Sequence, residues 1–249
     1  MTASASEFTA HDGKREAVYL SAILAGPGGA GKSYSALLLA SGLAGKGLVV
    51  VIDTEVKPIT LYADEFKFKR IALVKPFTAS RYRDAIRAAA TLKPAVLIVD
   101  SATHEWMGSG GVLRQLDSWQ ENHARAPQFL FWKDATPQHD RFVDALTGQR
   151  FHVIVCCRGR EKFVVESQLG DDGRKHLVPK SIGLRPLQRK DFRYDFMLSI
   201  VIDSDHKARP LTDTTKLFRD WESRPLTIED GRALARWAST GAVARGGKK

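Results

Sequence analysis

Eight residues, Gly26-Pro27-Gly28-Gly29-Ala30-Gly31-Lys32-Ser33, have the types and spacing of G-x-x-x-x-G-K-[ST]. That pattern suits phosphate: glycines let the backbone curl until its N–H groups point at phosphate oxygens. A helix beginning there adds the partial positive charge of its N-terminus. Gly26 to Ser33, with Tyr34 opening the helix, are therefore the expected nucleotide-binding residues. Lys32 is expected to reach the β- and γ-phosphates and the Ser33 hydroxyl to ligate Mg²⁺. Asp100 ends the apolar run Ala95-Val96-Leu97-Ile98-Val99, a position from which a carboxylate holds Mg²⁺. Hydrolysis of a nucleoside triphosphate also needs a group for the attacking water, and Glu55 and Glu105 are the candidates. A rival pattern uses the same letters. Gly26, Gly28 and Gly31 satisfy G-x-G-x-x-G, and Asp53 ends the next strand like a ribose-binding acid. That dinucleotide reading leaves Lys32, Ser33 and Asp100 without a role.

These residues need a scaffold that brings them together. Val18 to Leu24, Leu48 to Ile52, Arg70 to Val74, Ala95 to Val99 and Phe151 to Cys157 are apolar runs of strand length. Tyr34 to Leu43 reads as a helix, and Ser80 is placed to cap another with Tyr82, Ala85, Ile86 and Ala89 on one face. Alternation of strand and helix predicts an α/β fold, a mainly parallel sheet with helices on both faces; with the glycine loop of Gly26 to Ser33 it resembles the P-loop NTPase sheet. The C-terminal ends of parallel strands share one edge, where ligands bind. The glycine loop, Glu55, Asp100 and Arg158 all follow strands and are expected to converge there.

The remaining chain is less regular. Val112 to Trp119 reads as a helix, and Thr136-Pro137 as the start of another with Phe142, Val143 and Leu146 inward. Trp106, Trp119 and Trp132 read as core or interface; Trp106, beside Gly108, Gly110 and Gly111, also has the alternative of stacking on a base. Lys162 to Val165 is a further strand candidate. After it, Arg174, Lys175, Lys180, Arg185, Arg189, Lys190 and Arg193 crowd a segment opposed only by Asp191. Gly173, Pro179, Gly183 and Pro186 predict a cationic loop there, a candidate for DNA binding. Phe192 to Asp203 alternates, with Phe192, Tyr194, Phe196, Leu198, Ile200 and Ile202 on one side and Arg193, Asp195 and Ser199 on the other. With His206 to Thr215 it predicts an antiparallel hairpin extending the sheet edge over about 192–215. Asp203, Asp205 and His206 read as its polar turn rather than a metal site. Thr227 and Asp230 form a capping box for a last helix, about 228–239, carrying Leu234 and Trp237.

The 249 residues are 43% hydrophobic with a formal net charge of +10. The size suits one domain over 17–240, between a flexible polar arm (1–16) and a disordered basic tail (241–249). The charge favours polyanions. No run is long enough for a membrane span. Cys156 and Cys157 sit side by side on an apolar run, so no disulfide framework forms; they are expected to pack in a reducing cytoplasm.

Asp53-Thr54-Glu55 stands where the RecA-like ATPases carry an Asp-x-Glu pattern with a catalytic glutamate, and the chain resembles that family. It departs at the end of the fifth strand, where Arg158-Gly159-Arg160 replaces the glutamine of RecA itself. Arg158, Arg160 and Lys162 are therefore candidate γ-phosphate sensors or fingers. A closer resemblance is to phage-encoded RecA-like ATPases, including the Sak-type single-strand annealing proteins and related nucleotide-binding proteins. It rests on Gly26 to Ser33, Asp53-Thr54-Glu55, and Asp100-Ser101 with His104 and Trp106. Trp132, Thr136-Pro137 and the closing Gly231, Trp237 and Gly241 also fit, so it covers most of residues 18–241. The resemblance implies a Mg²⁺-dependent ATPase serving phage recombination or replication on single-stranded DNA in the host cytoplasm. It also implies a homo-oligomer or ring, a single-strand-binding protein as partner, and a DNA-binding loop after the fifth strand. Two other readings stay open: a small-molecule kinase, and a nucleotide-dependent assembly switch with a protein partner.

Overall fold

A computed structural model of the protein describes residues 12–169 and 174–241. The expected tail beyond Gly241, Gly173 and the first eleven residues lie outside the described residues. The elements run in the order β1 (Ser21–Gly26), α1 (Lys32–Ala44), β2 (Val49–Asp53), β3 (Lys69–Ala72), α2 (Ala79–Thr91), β4 (Val96–Asp100) and α3 (Thr103–Met107). Then follow α4 (Val112–Asn122), α5 (Phe129–Thr147), β5 (His152–Leu169), β6 (Lys175–Pro186), β7 (Leu198–Ile202), β8 (Ala208–Asp213) and α6 (Ile228–Ser239). The sheet has the order β3-β2-β4-β5-β1-β7-β8, and β6 pairs with β5 alone. Every neighbouring pair from β3 to β7 is parallel, and β8 closes the edge antiparallel.

β1, β2, β4 and β7 are buried along their whole length, as runs of Val, Ile and Leu require when helices cover both sheet faces. One face packs Leu37, Leu39 and Ala40 of α1 and Leu234 of α6 over Leu24, Val51, Ile98 and Ile154. The other packs Tyr82 and Ile86 of α2 and Phe142 and Leu146 of α5 over Ile23, Val50, Leu97 and Val153. α1 and α6 touch through Gly42 and Gly231. A Cβ on Gly42 would lie 2.1 Å from the Ile228 carbonyl, and one on Gly231 2.2 Å from that of Leu39. Thr227 and Asp230 cap α6 reciprocally. Arg15 reaches that helix from the start of the chain, its guanidinium 4.7 Å from the Trp237 ring and donating to the Trp237 carbonyl at 2.8 Å.

Four local expectations are corrected. Pro137 lies inside α5 rather than at its start. The inward face Phe131, Ala135, His139, Phe142 and Leu146 runs through it, and burial along that stripe outweighs the lost backbone bond at an exposed position. Thr78, not Ser80, caps α2, accepting from Arg81 N–H at 3.3 Å. Phe192–Asp195 is a 3-10 turn rather than strand. Tyr194 there is exposed, while Ser199 in β7 is fully buried, because β7 is covered on both faces. The cationic loop is the fourth: most of it is β6, paired antiparallel with an outward continuation of β5. Pro179 and Pro186 fit because β6 has a partner on one side only. A register shift between Glu161 and Phe163 and the positive φ of Gly183 (81°) accommodate the bend.

Candidate nucleotide site

The loop between β1 and α1 is shaped by its backbone. Gly29 and Gly31 have φ of 80° and 81°, which only glycine adopts freely. Gly31 is the N-cap of α1, without a side-chain cap or an acid in the first turn. The first N–H groups of the helix are thus left to an anion. Lys32 folds back, its Nζ donating to the Pro27 carbonyl at 2.7 Å. Tyr34 turns aside: its ring meets Tyr62 and Phe66 edge-on and its hydroxyl donates to Glu65 at 2.9 Å.

Parallel register brings the acids to this loop. Asp53 and Asp100 are paired positions on β2 and β4, and Gly26 is level with Arg158 on β5. The Ser33 hydroxyl donates to Asp100 Oδ2 at 2.5 Å. Asp100 is buried, and burial raises its pKa to about 6, against the opposing pull of the Ser33 hydrogen bond. Serine hydroxyl and carboxylate oxygen are hard donors of the kind Mg²⁺ takes, so this pair fits that ion.

The remaining carboxylates separate by role. Asp53 is a scaffold acid: Arg70 Nε donates to it at 2.7 Å, and its oxygens accept from the N–H groups of Glu55 and Ile59. Glu55 stands at the edge, with Arg158 donating to it at 3.0 Å. Glu105 is fully buried, with His139 Nδ1 3.1 Å from both of its oxygens and Gln188 donating at 3.1 Å. Of the two candidates for the attacking water, only Glu55 faces the edge. Cys156 and Cys157 are buried, and burial raises both thiols, Cys157 to about 12.

Of the three candidate sensors, Arg158 alone touches the edge. Arg160 and Lys162 lie farther along β5 and line a groove of about 970 Å³. Arg185, Arg189, Lys190 and Arg193 line it too, with Trp106, Phe163 and Tyr194 as aromatic walls. The cationic segment is therefore divided. Arg189 is spent on Asp140 at 2.6 Å and Asp191 at 2.7 Å. Lys180 pairs with Glu166 at 2.9 Å on the outer β5–β6 arm, and Arg174 and Lys175 sit where β6 begins. Trp106 also stacks on Trp132, ring centroids 5.9 Å apart. A second open cleft, of about 1310 Å³, meets the groove at Met107 and Leu187 and reaches His104, Lys75 and Trp119.

Two contacts join residues far apart in the sequence. The turn after β7 reaches the glycine loop, so that a Cβ on Gly31 would lie 3.1 Å from His206 Nδ1. Asp203 in that turn accepts from the N–H groups of Asp205 and Lys207. His104 bridges Thr54 and Arg158; its place four residues after Asp100 was the available hint. Among the described residues, no group of His, Cys, Asp and Glu has the form of a metal cluster, and no helix is long and apolar enough to cross a membrane.

The sheet order excludes the dinucleotide fold, in which the second strand lies beside the first; here β5 and β4 stand between β1 and β2. No curated protein matches the chain. A family model described as an AAA domain matches residues 19–176, which include the glycine loop, Glu55, Asp100 and Arg158. The parallel sheet, the loop and the acid beside Ser33 agree with that match, and the chain belongs to the AAA-domain family of P-loop ATPases.

Proposed function

We propose that the protein is a Mg²⁺-dependent ATPase of RecA-like type that acts on single-stranded DNA in phage-type recombination or replication. Gly26 to Ser33 hold the phosphates, Lys32 swinging from the Pro27 carbonyl to the β/γ-oxygens. Ser33 and Asp100 hold Mg²⁺, which when bound neutralises charge on those oxygens. Glu55 accepts a proton from the attacking water or orients it, and Arg158 stands where γ-phosphate charge develops.

The observation that carries the DNA reading is the course of β5. It delivers Arg158 to Glu55 at 3.0 Å and then, through Arg160, Lys162 and Phe163, forms a wall of the groove. Cations beside aromatic faces suit a flexible polyanion with stackable bases. Ligand in the groove and nucleotide at the edge thus press on one strand. A single-strand-binding protein partner and assembly into a ring belong to the same reading.

The test is steady-state ATP hydrolysis with and without single-stranded DNA. The expected result is DNA-stimulated turnover that Glu55→Gln abolishes while ATP still binds. Turnover indifferent to DNA would leave an ATPase and remove the DNA role. Phosphate appearing on an added metabolite would replace both with a kinase.

A further inference from the structure

The ring of His104 lies between the segment that carries Glu55 and the strand that carries Arg158. An Arg158 guanidinium nitrogen is 3.0 Å from His104 Nε2. A guanidinium has donors only, so Nε2 accepts and bears no proton. The proton therefore sits on Nδ1, which is 2.9 Å from Thr54 Oγ1. The threonine fits that assignment. Its hydroxyl also accepts from Ser101 N–H at 2.8 Å and donates its own hydrogen to the Ser101 carbonyl at 3.2 Å. One donor and two acceptor sites are all used. Phe77 stacks on the ring with centroids 4.9 Å apart, which limits its rotation.

We propose that His104, neutral and protonated on Nδ1, is a positioning residue that holds the Arg158 guanidinium against Glu55. The inference rests on Glu55 being the group that serves the attacking water. Burial, the largest influence on this ring, lowers its pKa, as a neutral imidazole requires; Glu55 opposes that and Arg158 reinforces it. A charged ring would lose the acceptor for Arg158 and present a second donor towards Glu55, 3.9 Å away. Arg158 would then keep one side-chain partner here, Glu55 at 3.0 Å, and two backbone anchors. Its N–H donates to Thr103 Oγ1 at 2.8 Å and its carbonyl accepts from Leu187 at 2.7 Å. Those hold the backbone, and with one partner left the guanidinium can pivot about its contact with Glu55. His104 supplies the second side-chain point, and it ties the guanidinium to Thr54, one residue from Glu55.

Long-range ¹H–¹⁵N spectra of histidine-labelled, nucleotide-free protein test the assignment directly. His104 is expected to carry its proton on Nδ1, and Arg158→Ala to return it to the Nε2-protonated form that free imidazole favours. A proton on Nε2 in the wild-type chain overturns the proposal. In hydrolysis assays, His104→Leu should lower kcat on the order of tenfold with KM for ATP nearly unchanged, the pattern of lost orientation rather than lost binding. His104→Gln, whose amide oxygen still accepts from Arg158, should recover most of that loss. The double variant H104L/R158A should be no slower than R158A alone; losses that multiply would show that the two residues act separately and overturn the link. If Glu55→Gln hydrolyses ATP at the wild-type rate, the assignment of Glu55 fails, and that outcome is separate from the spectra.

Discussion

At the scale of single residues, charge and burial decide between side chains of the same type. Among the described residues, the Lys32 ammonium donates to a carbonyl of its own loop, so its removal takes no hydrogen bond from the core. Lys32→Ala should cost roughly 2–3 kcal/mol of nucleotide binding, about a hundredfold in Kd, as expected for a lost charge-assisted hydrogen bond. Calorimetric titration measures this, and an unaltered thermal melt would show that the fold is intact. An unchanged Kd would remove the loop from nucleotide binding. Glu105 is the opposite case. It is buried against His139 and Gln188, and His139 Nε2 has no partner among the described residues. Glu105→Ala leaves a cavity and strips His139 Nδ1 of its partner, while Gln188 keeps its bond to the Ala102 carbonyl. It should lower stability by about 3 kcal/mol while turnover per folded molecule stays near wild type. A folded, fully stable variant without turnover would transfer the role of Glu55 to Glu105.

At the scale of elements, two contacts set how strands and helices meet. The His152 ring at the start of β5 accepts the Leu20 N–H at 2.9 Å through Nδ1, so it must be neutral there. Burial lowers its pKa to about 4. The unfolded chain, with an ordinary histidine near 6.5, binds the proton first as pH falls. Stability is therefore full above about pH 6.5 and lost as pH drops towards 4. The shift would be worth about 3 kcal/mol at full burial and about 2 for a partly exposed ring. Urea melts at pH 7 and 4.5 should show the difference, and His152→Gln should reduce it. The α1–α6 crossing is the second contact. Gly42→Ala gains about 1 kcal/mol of helix propensity but drives a methyl group into the Ile228 carbonyl. Overpacking costs about 1–3 kcal/mol, more against backbone that cannot move aside, so a net loss of stability is expected in thermal denaturation. A more stable variant would mean that α6 sits less tightly on α1.

At the scale of the molecule, the +10 charge matters through its distribution. The groove gathers Arg160, Lys162, Arg185, Lys190 and Arg193 beside Trp106, Phe163 and Tyr194. If four of these cations meet phosphates, log affinity for single-stranded DNA should fall against log salt with a slope of about −3. Replacing Arg185, Lys190 and Arg193 with alanine should flatten it to about −1 and weaken all sequences alike. Arg189 belongs to a different experiment, since its ion pairs with Asp140 and Asp191 make it part of the fold. Filter binding across a salt series measures the slope. Wild-type affinity and slope in the triple variant would place DNA, if it binds at all, elsewhere.

What the chain by itself determined is what contiguous residues encode. The glycine loop depends on eight neighbours. β2 and β4 announce themselves as apolar runs ending in acids, and Thr227 with Asp230 caps α6 within one turn. From strand direction alone, Glu55, Asp100 and Arg158 had to share an edge. Sheet order lay beyond this, because it depends on which distant strands pair. That order set β5 and β4 between β1 and β2 and removed the dinucleotide reading. The different surroundings of Glu55 and Glu105 also waited for tertiary structure: both follow strand ends, and burial against His139 and Gln188, 34 and 83 residues away, sets Glu105 apart. The segment read as a loop became β6 because an extended β5 supplies its partner, and local composition does not contain that partner. His104 acquired its meaning in the same way. Its tautomer is dictated by Arg158, 54 residues along the chain, brought within hydrogen-bonding distance by the register of parallel strands.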